Sequence, residues 1–134
     1  MRKIRVLVVA ADEAQRASET AVLSGLEGVE VVGATDSARA AIRVIRRRRP
    51  ELIVMDLLMP RMSGLEAAAL IKRGPAAPRV VLVSVGDGPA YALAMREFRI
   101  DDVVRNERLA AALPDLLRRY FPERWPGESE RPGN

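Results

Sequence analysis

Neither cysteine nor histidine occurs in these 134 residues. The first absence excludes disulfides and thiolate metal sites, and the second removes the commonest side-chain acid–base group and metal ligand. Any chemistry must therefore rest on carboxylates, hydroxyls or a cofactor. Lysine is nearly missing as well, with 2 against 20 arginines, a bias that together with the abundant alanine reads as codon usage in a high-GC bacterium. A long apolar run is also lacking. Met1-Arg2-Lys3 leads straight into Ile4 to Ala11, which contains Arg5 and is too brief for a signal h-region or a membrane span. A cytoplasmic location without membrane contact is the expectation.

What is present fits one domain of ordinary size, large enough to bury a core without covalent staples. The net charge of +4 is modest and reads as spread along the chain, a term for solubility before one for binding. Val6-Leu7-Val8-Val9 is a continuous apolar run, as expected of a strand buried on both faces of a parallel sheet. Between Asp12 and Leu26, Ala14, Ser18, Ala21, Val22 and Gly25 fall on one helical stripe and predict its inner face. Val29 to Ala34 predicts a second strand. Asp36 or Ser37 can cap a helix whose apolar face is Ala38, Ala41, Ile42 and Ile45, closed by Arg46 to Arg49 and stopped by Pro50. Four consecutive arginines invite a nucleic-acid reading, but cations also favour a helix C-terminus, and a single short run reads first as a solvated helix end.

Leu52 to Asp56 predicts a third strand. Leu65, Ala68 and Ala69 mark a third helix ending at Gly74-Pro75, and Val80 to Ser84 a fourth strand that finishes on a hydroxyl. Tyr91, Ala94, Met95 and Phe98 follow Pro89 with helical spacing, Val103-Val104 offers a short fifth strand, and Leu109, Ala112, Leu113, Leu116 and Tyr120 make a last helical stripe. Pro114 lies within it, at small cost if the helix starts near Ala110 or Ala111 and with a kink if it starts at Glu107. Residues 1–120 then form the domain, and 121–134 a flexible tail rich in proline and glycine, mobile at least after Pro126. Trp125, the only tryptophan, lies in that tail.

Five strands alternating with five helices predict a doubly wound (βα)5 parallel sheet. Ligands in such sheets sit at the carboxyl edge of the strands. The residues to examine are therefore Ala10 and Ala11, Asp56 and Leu57, Ser84 and Val85, and Arg105 and Asn106. Asp56 stands out, a lone carboxylate delivered by the run Leu52 to Met55 and followed by a Pro and a Gly that shape a tight passage into the next helix. Its other reading is a turn cap, a role Asp favours.

The stretch Met55-Asp56-Leu57-Leu58-Met59-Pro60-Arg61-Met62-Ser63-Gly64-Leu65-Glu66-Ala67 closely resembles the phospho-acceptor segment of bacterial response-regulator receiver domains, the CheY-like family. The likeness runs from about Arg2 to Tyr120. It implies a flavodoxin-like sheet of order 2-1-3-4-5 and a signalling module in a two-component phosphorelay rather than an enzyme. By the same resemblance Asp56 is the phosphoacceptor, attacking a phosphohistidine or a small phosphodonor to form an acyl phosphate. Ser84, with Leu57 and Val85 beside it at the strand ends, supplies the candidate phosphoryl-binding residues.

The resemblance also shows where this chain departs from its family. Mg²⁺ wants oxygen ligands, and the family draws them from paired acids ending strand one, the acceptor Asp and the carbonyl of the residue two beyond it, here Leu58. The paired acids fall on Ala10 and Ala11, the phosphate-binding lysine on Asn106, and the aromatic that reports phosphorylation on Val103. Asp12 is a possible single substitute for the acids, and Arg105 for the lysine if the fifth strand carries a bulge. At most Asp56, Asp12 and Leu58 remain to hold a metal, so Mg²⁺ is expected to bind weakly or not at all, and no other cofactor is implied. Val85 replaces a small residue and is expected to narrow access to Asp56.

The leading expectation is a degenerate receiver acting by protein contact, with phosphorylation impaired or absent. The alternative is a working phosphoacceptor served by a cognate histidine kinase, as in the regulatory half of a longer transcription regulator. Expected partners are a histidine kinase, a phosphotransfer protein or an output protein, or a second copy joined through the fourth helix, fifth strand and fifth helix. Tyr91 and Arg96 are expected near that face, although Tyr91, Met95 and Phe98 read mostly as core packing. No direct nucleic-acid binding is expected of this chain. A nucleotide- or flavin-binding enzyme would want a glycine-rich loop after strand one, where Ala10-Ala11-Asp12-Glu13 stands instead.

Overall fold

Each apolar run named above becomes a central strand. A computed structural model describes residues 2–74, 76–85 and 97–124. Its strands are β1 (Ile4–Val9), β2 (Val29–Thr35), β3 (Leu52–Asp56), β4 (Arg79–Ser84) and β5 (Asp102–Arg105), and its helices α1 (Glu13–Ser24), α2 (Ala38–Arg48), α3 (Gly64–Ile71) and α4 (Leu109–Tyr120), the last preceded by a 3-10 turn over Asn106–Arg108. The strands run parallel in the order β2-β1-β3-β4-β5, so β1 and β3 meet at the centre. The helix expected around Tyr91, Ala94, Met95 and Arg96 lies outside the described residues, except that Glu97 and Phe98 are helical. Trp125 and the rest of the tail also lie outside them.

Alternate residues of each strand feed two cores. On one face Ile4, Val6, Val8, Leu52, Val54, Val81 and Val83 pack beneath Leu23 of α1 and Leu109, Leu113, Leu116 and Leu117 of α4. On the other, Leu7, Val9, Ile53, Met55, Val80 and Leu82 meet Ala38 and Ala41 of α2 and Ala67 and Ala68 of α3. Full burial of each aliphatic side chain stabilises by about 1.5–3 kcal/mol, which makes this double interior the main support of the fold. Small residues let α2 lie close to the sheet. At Gly33 an added Cβ would stand 3.1 Å from Val44 and 3.3 Å from Leu7.

Helix starts follow side-chain chemistry. The Asp12, Ser37 and Ser63 side chains accept the backbone N–H of Gln15, Ala40 and Glu66, and Glu66 returns a bond to Ser63 in a capping box. Asp36 is passed over for Ser37. Past α4, Phe121 packs partly buried against the first core, and the Arg124 guanidinium pairs with the Glu51 carboxylate while donating to the Lys3 carbonyl at 3.0 Å.

Three local expectations are corrected. Ala14, Ser18, Ala21 and Gly25 of α1 face solvent, and the face turned inward carries Gln15, Glu19, Val22, Leu23 and Leu26. The largest apolar side chains, rather than the small ones, choose the buried face. Pro114 is the sixth residue of α4, which starts at Leu109, so its missing N–H falls beyond the unpaired first turn and deprives the Ala110 carbonyl of its helical donor. Last, α3 ends at Ile71 with Lys72 as its cap, before Gly74.

Candidate functional site

The order of the strands puts the C-terminal ends of β1, β3 and β4 side by side. An open cleft of about 190 Å³ forms there between Ala11, Asp12 and Gln15 on one side and Asp56, Leu58, Ser84 and Val85 on the other, with Leu57 and Val83 beneath. Asp56 is 7% exposed and ends β3 opposite Val83, one residue before Ser84 on the neighbouring strand. The loop that follows is held tightly. The Leu57 N–H donates to the Val83 carbonyl at 2.9 Å, and the Leu57 carbonyl accepts from the Gly64 N–H at 2.8 Å.

Gly64 starts α3 pressed against this loop. An added Cβ would collide with the Asp56 carbonyl oxygen and stand 2.9 Å from Leu57 Cα, so the position requires glycine on steric grounds. Between them Arg61 has φ 73°, and the Met62 N–H bonds the Pro60 carbonyl at 2.8 Å, a tight turn in the left-handed region that bulky residues rarely adopt. Asp56 thus does not cap its own turn. It points back to the other side of the cleft.

Both carboxylate oxygens of Asp56 receive N–H donors. The Ala11 N–H donates to Oδ2 at 3.2 Å, and the Gln15 side-chain amide donates to Oδ1 at 2.7 Å. The same amide nitrogen donates to Glu19 Oε2 at 2.8 Å, one turn further along α1. Glu19 is 4% exposed, and its other oxygen is buried without a hydrogen-bond partner. Burial pushes the Glu19 carboxyl up to about 7, against the Gln15 hydrogen bond and with help from the Asp56 charge. Burial likewise raises Asp56 above the usual aspartate range; the bonds from Ala11 and Gln15 oppose the shift, and the Asp12 charge adds to it.

The other candidates are placed as follows. Ala10 is fully buried and Ala11 borders the cleft; Arg16 ties their carbonyls at 2.8 and 3.4 Å. Asp12 borders the cleft but spends Oδ2 on the Gln15 N–H at 2.8 Å. Ser84 borders it and is buried. Leu57, a phosphoryl-binding candidate in the sequence, is buried with its N–H committed to Val83, which removes it as a free donor. Leu58 and Val85 stand at the rim, 67% and 73% exposed, so Val85 flanks the entrance more than it fills it.

The bulge imagined for β5 is absent. Register runs unbroken from Val81–Asp102 to Ser84–Arg105. Arg105 pairs with Glu107 at 2.7 Å, Asn106 is exposed at the start of the 3-10 turn, and neither borders the cleft. Val103 packs against the α2–α3 core. Lys72 is spent elsewhere, donating to the Pro78 carbonyl at 3.0 Å and to Asp101 at 2.8 Å. Among the described residues no group of three or more acids comes together as a metal site.

The sequence reading missed Gln15, Arg16 and Glu19. The signal was available, because Val22, Leu23 and Leu26 fall on the same helical stripe as Gln15 and Glu19. Polar residues on that stripe point at a polar partner inside.

A parallel five-stranded sheet of this order, with a buried aspartate at the end of its third strand and a hydroxyl at the end of its fourth, defines a signalling receiver module. The response regulator receiver domain family matches over residues 6–115, and the chain belongs to that family, whose members serve two-component signalling. It is 31% identical over 117 residues to the transcriptional regulatory protein PdtaR of Mycobacterium tuberculosis, covering 81% of this chain and 57% of that protein. It is 37% identical over 82 residues to the response regulator GacA of Pseudomonas viridiflava, covering 61% of this chain and 38% of that protein. The chain thus spans little more than half the length of these curated relatives, or less. Among solved structures, the response regulator domain of Thermotoga maritima CheB superposes with a TM-score of 0.80 at 25% identity, covering 90% of this chain and 98% of that one. The receiver domain of the response regulator NarL from Mycobacterium tuberculosis gives 0.77 at 27%, covering 87% and 97%. No helix among the described residues is long and apolar enough to cross a membrane.

Proposed function

We propose that this chain is an atypical receiver that works by protein contact, with Mg²⁺-dependent phosphorylation of Asp56 impaired. The observation that carries this reading is the occupancy of Asp56 itself: Ala11 N–H and the Gln15 amide take its two oxygens. A divalent cation needs oxygen ligands in that space. Methyl side chains stand at 10 and 11, and the Asp12 carboxylate is engaged at the helix start. The residues present therefore do not fit Mg²⁺.

The charge that gathers when a carboxylate meets a phosphoryl group is then poorly offset. Loss of even one preorganised donor costs about 10²–10³ in rate, and here the acids and the lysine are both replaced. Incubation with a small phosphodonor and Mg²⁺, read by intact mass beside Asp56→Ala, is expected to show slow or no labelling of the native chain and none of the variant. Rapid stoichiometric labelling of the native chain alone would overturn the proposal. Partner binding is expected to survive Asp56→Ala, the partner being a histidine kinase, a phosphotransfer protein, an output protein or a second copy of the chain.

A second reading is favoured by the retention of Asp56 and Ser84 on one cleft. In it a cognate histidine kinase supplies the missing groups. Phosphotransfer from that kinase to the native chain, lost in Asp56→Ala, would establish it over the first.

A further inference from the structure

Positive charge in this protein is concentrated on one helix. Of 22 basic and 18 acidic residues, Arg39, Arg43, Arg46, Arg47, Arg48 and Arg49 fall within 38–49, a segment with no acid. That segment carries +6, so the remaining 16 basic and 18 acidic residues sum to −2. The even spread expected from the sequence is not what the fold presents. All six arginines are exposed, and among the described residues none has a carboxylate partner.

The helix dipole accounts for Arg46, Arg47 and Arg48, which stand in the last turn of α2. It does not account for the others. Arg39 stands in the first turn, where the dipole disfavours cations, and Arg39–Arg43 and Arg43–Arg47 are like-charge pairs four residues apart, which weaken a helix. At 3.6 residues per turn Arg39, Arg43, Arg46 and Arg47 share one stripe, spaced about 5–6 Å apart over a helix about 16 Å long. Ala38, Ala41, Val44 and Ile45 hold the opposite face against the core.

We infer that this arginine stripe is a binding surface for the sugar–phosphate backbone of a nucleic acid, engaged without reading base sequence. Guanidinium forks pair with phosphate oxygens bidentately, and such interfaces are polar and strongly positive. A protein partner would want an apolar or aromatic anchor within the patch. The exposed large hydrophobics among the described residues are Leu58, Leu70 and Val85, none of them on α2. A membrane surface would want the apolar face of the helix, which α2 has already buried. Because α2 lies packed on the sheet, only its outer face reaches the ligand, and the contacts go to phosphates, which position without specifying sequence. The surface is separate from the Asp56 cleft and does not depend on its chemistry.

The test is fluorescence anisotropy of the full chain with a labelled DNA duplex across about 50–200 mM salt. Four phosphate contacts give a log–log slope of about −3.6, so the association constant is expected to fall about 150-fold over that range. Arg43→Gln/Arg47→Gln is expected to weaken binding and halve the slope to about −1.8, a fall of about 12-fold. Glutamine keeps the helix propensity of arginine, and unchanged far-UV circular dichroism and melting verify the fold. The inference is overturned by no saturable binding at the lowest salt, or by the native slope in the double variant. Capture by phosphatidylserine vesicles without duplex binding overturns it as well.

Discussion

Replacing Glu19 with an apolar side chain of similar length should make this protein more stable above neutral pH and remove most of its pH dependence there. In the folded chain the Glu19 carboxyl titrates at about 7, against 4.5 for the ordinary group. The folded state therefore holds its proton more tightly than the unfolded chain. Between those two pH values the native protein carries about one proton more, so stability falls as pH rises, by about 1.4 kcal/mol per unit, and levels off above pH 7. The full loss is about 3 kcal/mol, a shift of about 10 °C in Tm for a chain of this size. The raised Asp56 acts in the same sense, from about its ordinary 3.8 upward.

Glu19→Met removes the titrating group together with the buried oxygen that has no partner, and leaves Gln15 free to serve Asp56 alone. Urea unfolding followed by far-UV circular dichroism at pH 5.0, 6.0, 7.0 and 8.0 gives the comparison. The native chain is expected to lose about 2.5 kcal/mol across the series, and the variant to hold nearly constant above pH 6 and to exceed the native chain at pH 8.0 by up to about 3 kcal/mol. Glu19→Gln should flatten the same curve with a smaller gain, because its amide leaves a buried polar atom unpaired. A native curve that is flat or rises between pH 5.0 and 7.0 would refute the reasoning, as would a slope that persists in Glu19→Met.

Other consequences follow from named contacts. Asp101 accepts Lys72 Nζ at 2.8 Å, Arg79 at 3.0 Å and the Val80 N–H at 2.7 Å. Burial alone would raise its carboxyl, but those three donors outweigh it and hold the group below its ordinary range, so its stabilisation is present above about pH 4 and fades as pH falls further. Asp101→Asn should cost about 2–4 kcal/mol in urea unfolding at pH 7, most of it from leaving the partly buried Lys72 charge without its carboxylate, the Pro78 carbonyl alone remaining. Gly64→Ala should destabilise by about 1–3 kcal/mol or more, because the new methyl collides with the Asp56 main chain; a Tm equal to that of the native protein would contradict the steric account. Ending the chain at Tyr120 rather than Arg124 should cost about 2–3 kcal/mol, through the lost packing of Phe121 and the Arg124–Glu51 pair. Equal stability of the two truncations would contradict a contribution of residues 121–124 to the fold.

Much of this protein is determined by local pattern. Four-residue apolar runs without alternation mark β1, β3 and β4 because a strand buried on both faces has no polar side to show, and the alternation of such runs with helical stripes is enough for a doubly wound sheet. Asp56 and Ser84 at strand ends, and alanine at 10 and 11, are also legible, since strand register carries them to the same edge. Tertiary structure decided what faces what. The small residues of α1 offer one smooth stripe, yet the helix turns the other way, because Val22, Leu23 and Leu26 bury more area and Gln15 finds a buried carboxylate to bond. Arg105 lies beside Ser84 in register, yet its charge goes to Glu107. The run Arg46 to Arg49 is plain in the chain, but Arg39 and Arg43 stand apart from it, and only the helix, packed by its opposite face, brings them into one exposed stripe with Arg46 and Arg47.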